Sequence, residues 1–297
     1  MGENKSVLLK ILLFLPCNFE IMSETQNSSK IIDVQKVLAS KMGSKVRFVP
    51  KFVLNWLRKI LHEDDINAYL EESKDIKGVA WLDSTRRYLD MRITIEGEEN
   101  FPDPESGPYT FVCNHPLGGP DGIGIGAVLA DHYGSKLKYL VNDFLLFLPG
   151  LKPLCIPVNK TGGQSRSLPR LVRDGFESDD NILMFPAGLC SRRRGGVIHD
   201  LQWKKTFIVH SVATKRDVVP MHFSGRNSNR FYRIARLCDI FHSPVNFAML
   251  FLADETYLNR HKHFTLKVGK PIPWQTFDRS KTPAEWAEYV ESICYSL

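Results

Sequence analysis

Continuous apolar runs alternate with amphipathic stretches along most of the chain, and this alternation predicts its secondary structure. Strands are predicted at residues 91–95, 109–112, 136–142, 153–160, 181–188, 217–223, 245–252 and 264–268. Helices are predicted among them at residues 167–176, 201–212, 231–238 and 283–295. Unbroken apolar character, as in NILMFPAG, is typical of a strand that helices cover on both faces of a sheet. The pattern therefore predicts an α/β fold with a mixed β-sheet flanked by helices.

The residues before the first strand have a helical period instead. Residues 31–41 predict a short amphipathic helix, residues 45–72 predict a longer one, and another helix passes through Trp81 and Leu89. Apolar residues form two adjacent stripes on the longer helix, and basic residues flank them: Phe52, Trp56 and Ile60 in one stripe, and Val53, Leu57 and Leu61 in the other. Two interpretations stay open. A basic helix with aromatic residues can lie in a membrane interface, or the same stripe can pack on the α/β domain.

The first residues of the chain contain an apolar run at 7–16. A membrane-spanning helix needs about 20 apolar residues, so this run is too short to cross a bilayer, and Lys10 interrupts it. The segment that begins at Met22 reads like an ordinary cytoplasmic start. Residues 1–21 are therefore either an upstream extension that is not made or not ordered in the cell, or part of the protein. We treat residues 1–30 as an uncertain N-terminal extension.

Composition narrows the classes of function. The chain has 297 residues, 43% of them hydrophobic, which suffices for one large α/β core with a helical extension. Its net charge of +6 suits an anionic partner, such as a phospholipid surface or an acyl carrier protein. Nucleic acid is disfavoured because the basic residues form no repeated patches interleaved with aromatic residues. The six scattered cysteines contain no CxxC pair and indicate free thiols, with neither a disulfide framework nor a zinc site.

The stretch YTFVCNHPLGGPDGIGIG, residues 109–126, carries the candidate chemistry. A short strand delivers Asn114 and His115 to a bend rich in glycine and proline, which ends regular structure. Asp121 follows where the N-cap of the next helix belongs. A carboxylate six residues beyond a histidine can fold back, hold the ring in one tautomer and leave the other nitrogen free to accept a proton. The stretch predicts a general base, with Asp121 as its orienting group, as an N-cap, or as both, and Asn114 as a hydrogen-bonding support.

Three further motifs follow in order. They are CIPVNK at residues 155–160, FPAGLCSRR at 185–193 and VVPMHFSG at 218–225. Together with the histidine motif they resemble the glycerolipid and lysophospholipid acyltransferases of the bacterial PlsC type, over roughly residues 101–272. The resemblance implies a glycerol-3-phosphate acyltransferase-like α/β sandwich with a helical segment over 31–90 and a catalytic domain over 91–297. It also implies that the enzyme binds no cofactor and uses an acyl carrier protein or coenzyme A thioester as co-substrate.

The resemblance assigns roles to individual residues. His115 and Asp121 are the catalytic pair, and Gly188 is the expected backbone donor to the oxyanion in a loop shared with Ser191. The basic residues after two strands, Lys160, Arg192 and Arg193, are either contacts for an anionic headgroup or a solvated loop. The residues predicted to shape the site are Asn114, Gly118, Gly119, Pro186 and Pro220. No metal ligand is predicted.

Departures from the family pattern bear on the acceptor. Five residues separate His115 from Asp121, one more than usual, and the glycines of the bend can absorb the extra residue. Ala187, Leu189 and Cys190 replace the glutamate, threonine and arginine that grip glycerol phosphate in the family. These features resemble the subgroup that O-acylates lyso-aminolipids, such as lyso-ornithine or lyso-glycine lipids, in Bacteroides-like bacteria.

Three functions are therefore consistent with the sequence. The first is a lyso-aminolipid O-acyltransferase at the cytoplasmic face of the inner membrane, attached peripherally or monotopically, with membrane lipids and the acyl donor as partners. The second is a lysophosphatidate acyltransferase, which the changed third motif disfavours. The third is a membrane-binding module without turnover, which the intact pair of His115 and Asp121 disfavours.

Overall fold

The computed structural model describes residues 30–141, 145–146, 148–157, 168–241 and 247–297. These residues fall into two compact units. The helical unit contains residues 30–74 and Ser228–Leu258, and the sheet unit contains Asp75–Asn227 and Asn259–Leu297. The histidine motif belongs to the sheet unit.

A mixed sheet of seven strands forms the centre of the sheet unit. Its strands are β1 (Arg92–Glu96), β2 (Thr110–Cys113), β3 (Leu137–Val141), β4 (Cys155–Pro157), β5 (Asn181–Met184), β8 (Val218–Phe223) and β9 (His263–Val268). The order across the sheet is β1-β9-β8-β2-β5-β3-β4. The five strands from β8 to β4 are mutually parallel, whereas β9 runs antiparallel to β8 and parallel to β1. The predicted mixed sheet is thus confirmed.

Strand β2 lies in the middle of this sheet, and all four of its residues are buried. Its neighbours are β8 on one side and β5 on the other, and both are parallel to it. The carboxyl ends of the three strands therefore meet at one edge, and chain order reverses around β2. In open α/β sheets this switch point is where ligands bind, so the fold brings the histidine motif and the third and fourth motifs to the expected edge.

Helices cover the sheet. They are α4 (Val79–Tyr88), α5 (Pro120–Tyr133), α6 (Leu168–Glu177), α7 (Thr206–Thr214) and α10 (Pro283–Ser296). Glycine allows α5 to approach its neighbours closely: a Cβ at Gly126 would lie 1.4 Å from the Tyr139 hydroxyl oxygen. That hydroxyl donates to the carbonyl oxygen of Gly122 at 3.0 Å. The glycine repeat after the histidine motif thus serves helix packing in this structure.

Two local expectations for the sheet unit need correction. The helix predicted at 201–212 begins only at Thr206, because the preceding residues form no regular element and the Lys204 N–H donates to the Pro186 carbonyl oxygen. The loop predicted around the third motif contains a hairpin of β6 (Arg192–Arg194) and β7 (Val197–His199). Gly195 and Gly196 connect its strands with positive φ angles, which suit a two-residue hairpin turn.

The helical unit contains α1 (Val34–Met42), α2 (Lys51–Ile60), α3 (Glu63–Glu72), α8 (Asn229–Ile240) and α9 (Leu252–Leu258). The prediction of one long helix at 45–72 is wrong, because two separate helices, α2 and α3, lie in this stretch. Pro50 is the N-cap of α2, and His62 has a left-handed φ of 48° that separates α2 from α3. The strand predicted at 245–252 is also wrong, since Phe247–Phe251 is a 3₁₀-helix that leads into α9. A short apolar run does not by itself distinguish a strand from a buried helix.

Within the described residues, no helix combines the length and apolar character needed to cross a membrane. The apolar run at residues 7–16 and the predicted strand end at 158–160 lie outside the described residues.

Candidate active site

Asn114 and His115 follow directly after β2, where the strand leaves the sheet. The Asn114 side chain bonds to both backbone groups of one residue on β8: its Nδ2 donates to the Phe223 carbonyl oxygen at 3.0 Å, and its Oδ1 accepts from the Phe223 N–H at 2.7 Å. The side chain therefore extends the pairing of β2 with β8 by one step. It is buried and holds the backbone in place immediately before His115.

Asp121 organises the bend after His115. Helix α5 starts at Pro120 with Gly119 as its N-cap, so the expectation that Asp121 itself is the N-cap is wrong. Its fully buried carboxylate instead accepts four backbone N–H groups, from Leu117, Gly118, Gly119 and Gly122, at 2.9 to 3.3 Å. Gly118 has a φ of 84°, which favours glycine at this position. Four backbone N–H groups thus fix the carboxylate in front of the imidazole.

The Asp121 carboxylate also binds the His115 ring. Nδ1 of His115 lies 3.0 Å from Oδ2 of Asp121, and because a carboxylate only accepts, Nδ1 carries the hydrogen. Nε2 is then the basic nitrogen, and no group in the described parts of the chain hydrogen-bonds to it. The ring stacks on Phe185 with centroids 4.1 Å apart, and its side chain stays 16% exposed. The imidazole is therefore held by Asp121 at Nδ1 and by Phe185 on one face, while its basic nitrogen remains open to a substrate.

The charges around His115 determine its protonation. Burial disfavours the imidazolium, but Asp121, by charge and hydrogen bond, and the charge of Asp200 outweigh this effect and raise the pKa of His115 above its ordinary value. Arg192 acts in the opposite direction. Burial likewise tends to raise the pKa of Asp121, but His115 and the backbone N–H groups lower it overall. The pair is arranged as an ionised acid beside a base whose conjugate acid is stabilised.

The third motif forms a loop beside His115. Gly188 has a φ of 73°, and its N–H donates to the Phe185 carbonyl oxygen at 2.9 Å. The Gly188 N–H, which was predicted to donate to the oxyanion, already donates within this turn. This hydrogen bond argues against the predicted role of Gly188. The Pro186 carbonyl oxygen accepts from the Lys204 N–H at 3.0 Å, and the Ser191 N–H donates to the His115 carbonyl oxygen at 2.8 Å. Pro186 and Ser191 therefore connect the loop to its surroundings.

The predicted headgroup residues differ in their placement. Arg192 is buried, and its Nη1 donates to the Cys190 carbonyl oxygen at 2.6 Å, so it braces the loop from within. Arg193 is half-buried in the same hairpin strand. Lys160 lies outside the described residues.

Pro220 occupies β8 in register with Val112 of β2, and its carbonyl oxygen accepts from the Gly269 N–H at 2.8 Å.

Asp200 is a site residue that the sequence did not indicate. It lies between β7 and α7, and both of its oxygens are 3.2 Å from the His115 backbone nitrogen. The hydroxyl of Ser191 and the indole N–H of Trp203 also donate to it. No motif marks a carboxylate that contacts a residue 85 positions away in sequence. The only local signal is a single acidic residue in the stretch VIHDLQW, residues 197–203.

Among the described residues, no group of three or more histidine, cysteine, aspartate or glutamate side chains is arranged to hold a metal ion. The described cysteines are free thiols. Burial raises the pKa of Cys190 to about 11, which disfavours its thiolate near neutral pH.

Known proteins resemble this chain over most of its length. The profile of the family described as Acyltransferase matches residues 36–297. A lyso-glycine lipid O-acyltransferase of Bacteroides thetaiotaomicron is 56% identical over 273 residues, which are 92% of this chain and 100% of that protein. A lyso-glycine lipid O-acyltransferase of Phocaeicola vulgatus is 54% identical, with 92% of this chain and 97% of that protein covered.

A crystal structure of the 1-acyl-sn-glycerophosphate acyltransferase PlsC from Thermotoga maritima also matches. It is 16% identical and has a TM-score of 0.47, with 82% of this chain and 86% of that chain covered. The family profile and the two relatives establish that the chain belongs to the acyltransferase family, as the four motifs predict, and that it is an acyltransferase.

Proposed function

We propose that this acyltransferase esterifies the hydroxyl group of a lyso-aminolipid, and that the preferred acceptor is a lyso-glycine lipid. Two relatives that carry this activity in their names are 56% and 54% identical to the chain and are covered over 100% and 97% of their lengths. The altered third motif, with Ala187, Leu189 and Cys190, agrees with an acceptor other than glycerol phosphate. The acyl donor is a thioester of acyl carrier protein or coenzyme A.

We assign the general base to His115. The observation that carries this assignment is the 3.0 Å contact between its Nδ1 and the amide-bound Asp121 carboxylate, which leaves Nε2 as the open basic nitrogen. In the reaction, Nε2 accepts the proton of the acceptor hydroxyl as the oxygen attacks the thioester carbonyl carbon. The tetrahedral intermediate then collapses, the carbon–sulfur bond breaks, and the imidazolium returns the proton to the departing thiolate. A correctly placed general base contributes about 10²–10⁴-fold to rate.

Asp121 orients the ring and stabilises the imidazolium that forms in this step. Its negative charge is already fixed by backbone N–H groups, so little reorganisation accompanies proton transfer. Arg193, which is half-buried, is a candidate for contact with an anionic headgroup, as is Lys160, whereas the buried Arg192 supports the loop through the Cys190 carbonyl oxygen. No protein nucleophile takes part in this scheme.

We also propose that the helical unit attaches the enzyme to an anionic lipid surface on the cytoplasmic side of the membrane. The two stripes of α2 differ in burial: Val53 and Leu57 of one stripe are buried, whereas in the other stripe Phe52 is 63% and Trp56 is 41% exposed and only Ile60 is buried. Phe48, just before α2, is 68% exposed and lies under the Arg47 guanidinium at 4.8 Å. Exposed aromatic residues beside basic residues suit the interface of an anionic bilayer.

The function is tested with the purified chain and defined substrates. Lyso-glycine lipid and lysophosphatidate are offered in turn, each with palmitoyl coenzyme A and with palmitoyl acyl carrier protein, and mass spectrometry follows the products. We expect the O-acylated glycine lipid to form faster than phosphatidate. Faster formation of phosphatidate would assign the second acceptor, and no transfer to either acceptor from either donor would refute the proposed reaction.

A further inference from the structure

Asp200 collects hydrogen bonds from three separate segments around His115. Its oxygens accept from the His115 backbone N–H, from the Ser191 hydroxyl at 2.6 Å and from the Trp203 indole N–H at 3.1 Å. Its own backbone N–H donates to the Tyr295 hydroxyl oxygen at 2.9 Å, which links it to α10. The side chain is only 9% exposed. All of these side-chain partners are donors, the pattern that an acceptor-only carboxylate satisfies.

We propose that Asp200 is a positioning residue of the active site, which fixes the backbone of His115 relative to the third-motif loop and supplies a second negative charge to the imidazole. This inference rests on the proposed role of His115 as the base.

The backbone of His115 is held from both sides by the Ser191–Asp200 region. Its N–H donates to the Asp200 carboxylate, and its carbonyl oxygen accepts from the Ser191 N–H at 2.8 Å. The Ser191 hydroxyl closes the arrangement by donating to Asp200. Asp121 orients the ring, whereas Asp200 and Ser191 locate the residue that carries it. Small displacements of a catalytic group cost large factors in rate, so both kinds of anchor matter for transfer.

The two carboxylates also act on the same imidazole through their charges. Asp200 and Asp121 both raise the pKa of His115, and Arg192 lowers it. The charge of Asp200 also acts to raise the pKa of other titratable groups, namely Glu291, Tyr295, Cys113, Cys190 and Cys294, and of His222, whose pKa burial and Lys267 nevertheless lower overall. Neutralising Asp200 should therefore change the titration of His115 without removing any group that contacts the ring.

Asp200→Asn is the informative substitution because asparagine has the same shape and no charge. Its carbonyl oxygen must face Trp203, since the indole N–H can only donate. Its amide then faces the Ser191 hydroxyl, which can reverse and accept. The variant thus keeps an acceptor for the His115 and Trp203 N–H groups and a hydrogen bond to Ser191, and it loses the charge.

Asp217→Asn is the matched control. Asp217 precedes β8 and accepts the Trp274 N–H at 3.0 Å, and its carbonyl oxygen accepts from the N–H of Thr110, the first residue of β2. It therefore lies at the opposite end of the strand that leads to His115. The substitution removes one partly buried carboxylate of the sheet unit and leaves its hydrogen-bond acceptor in place.

The experiment measures the pKa of His115 in the full chain by NMR with labelled histidine, in the wild type and in both variants. We expect Asp200→Asn to lower this pKa by up to about one unit and Asp217→Asn to leave it unchanged. The acid limb of kcat/KM should move in the same direction as the pKa. An unchanged His115 pKa in folded Asp200→Asn would overturn the proposal.

A second measurement covers the case in which Asp200→Asn does not fold. In the wild type, the His115 amide hydrogen should exchange slowly with solvent, and Ser191→Ala, which loosens the carboxylate, should accelerate the exchange. Rapid exchange in the wild type would also overturn the proposal. Neither measurement needs substrate, so a failure here is distinct from a failure of the proposed reaction, which the transfer assay reports.

Discussion

The two units of the molecule treat polar and apolar groups in opposite ways. In the sheet unit, the buried polar side chains of the site are hydrogen-bonded: Asp121 accepts five donors, and Asn114 pairs with a strand backbone. In the helical unit, large apolar side chains stay in water, including Phe48, Phe52 and Phe241. Buried polar groups are compatible with a stable fold only where they form hydrogen bonds. Exposed apolar side chains are typical of a surface that binds a membrane or another protein.

This difference separates two kinds of contribution to function. In the sheet unit, the charges and hydrogen bonds around His115 are already in place before substrate arrives. The exposed aromatic residues of the helical unit acquire a role only when something covers them. Substitutions in the sheet unit should therefore affect the chemical step or the stability of the fold, whereas substitutions on the exposed stripe should affect attachment.

The largest effect is expected from His115→Asn. Removing the proposed base should lower kcat by about 10²–10⁴-fold, with the thermal midpoint little changed, in the acyl-transfer assay. His261→Asn is the matched control, because His261 also has its Nδ1 3.0 Å from an aspartate oxygen, that of Asp90, but both side chains are exposed. Full activity in folded His115→Asn would contradict the catalytic assignment.

The second-largest effect is expected from Asp121→Asn, and the pH profile of kcat/KM measures it. The base must be neutral to accept a proton, and its raised pKa means that wild-type kcat/KM falls with decreasing pH through a midpoint above about 6.5. Removing the charge of Asp121 should move this midpoint to lower pH and reduce kcat about tenfold or more. A profile identical to that of the wild type would show that Asp121 does not act on the base.

Packing in the sheet unit is tested by Gly126→Ala. The added Cβ would fall 1.4 Å from the Tyr139 hydroxyl oxygen, so the helix or the tyrosine must shift. We expect the free energy of unfolding to fall by about 1–3 kcal/mol in chemical denaturation. In Gly122→Ala the new Cβ makes an ordinary contact with Phe185 at 3.5 Å, so a smaller loss is expected. Equal losses would indicate that close helix packing is not the reason for Gly126.

The smallest effect on the isolated protein is expected from the exposed stripe. The double variant Phe52→Asp with Trp56→Asp should fold like the wild type but bind vesicles of anionic phospholipid about tenfold or more weakly in a sedimentation assay. Val209→Asp, which alters an exposed apolar residue of the sheet unit, serves as the control. Undiminished vesicle binding by the double variant would refute attachment through this stripe.

Much of the candidate site around His115 was predictable because its signals are local. Asp121 lies six residues after His115, and the glycine and proline residues between them prevent a helix or strand from continuing. The alternation of apolar and amphipathic stretches likewise predicted most strands around β2. Where local signals conflict, prediction failed: the apolar run at 245–252 suits a strand as well as a helix, and its described part is helical. The break between α2 and α3 depends on the backbone of His62, a residue whose type does not demand it.

The sequence by itself determined most of the strands and helices, the order of the motifs and the bend that joins a histidine to its carboxylate, since each depends on residues that are close along the chain. Only the tertiary structure decided which stripe of α2 is buried and that Asp200 lies against the backbone of His115. The reason is physical: both depend on surfaces contributed by segments far apart in sequence. Which of them meet is fixed when the whole chain packs.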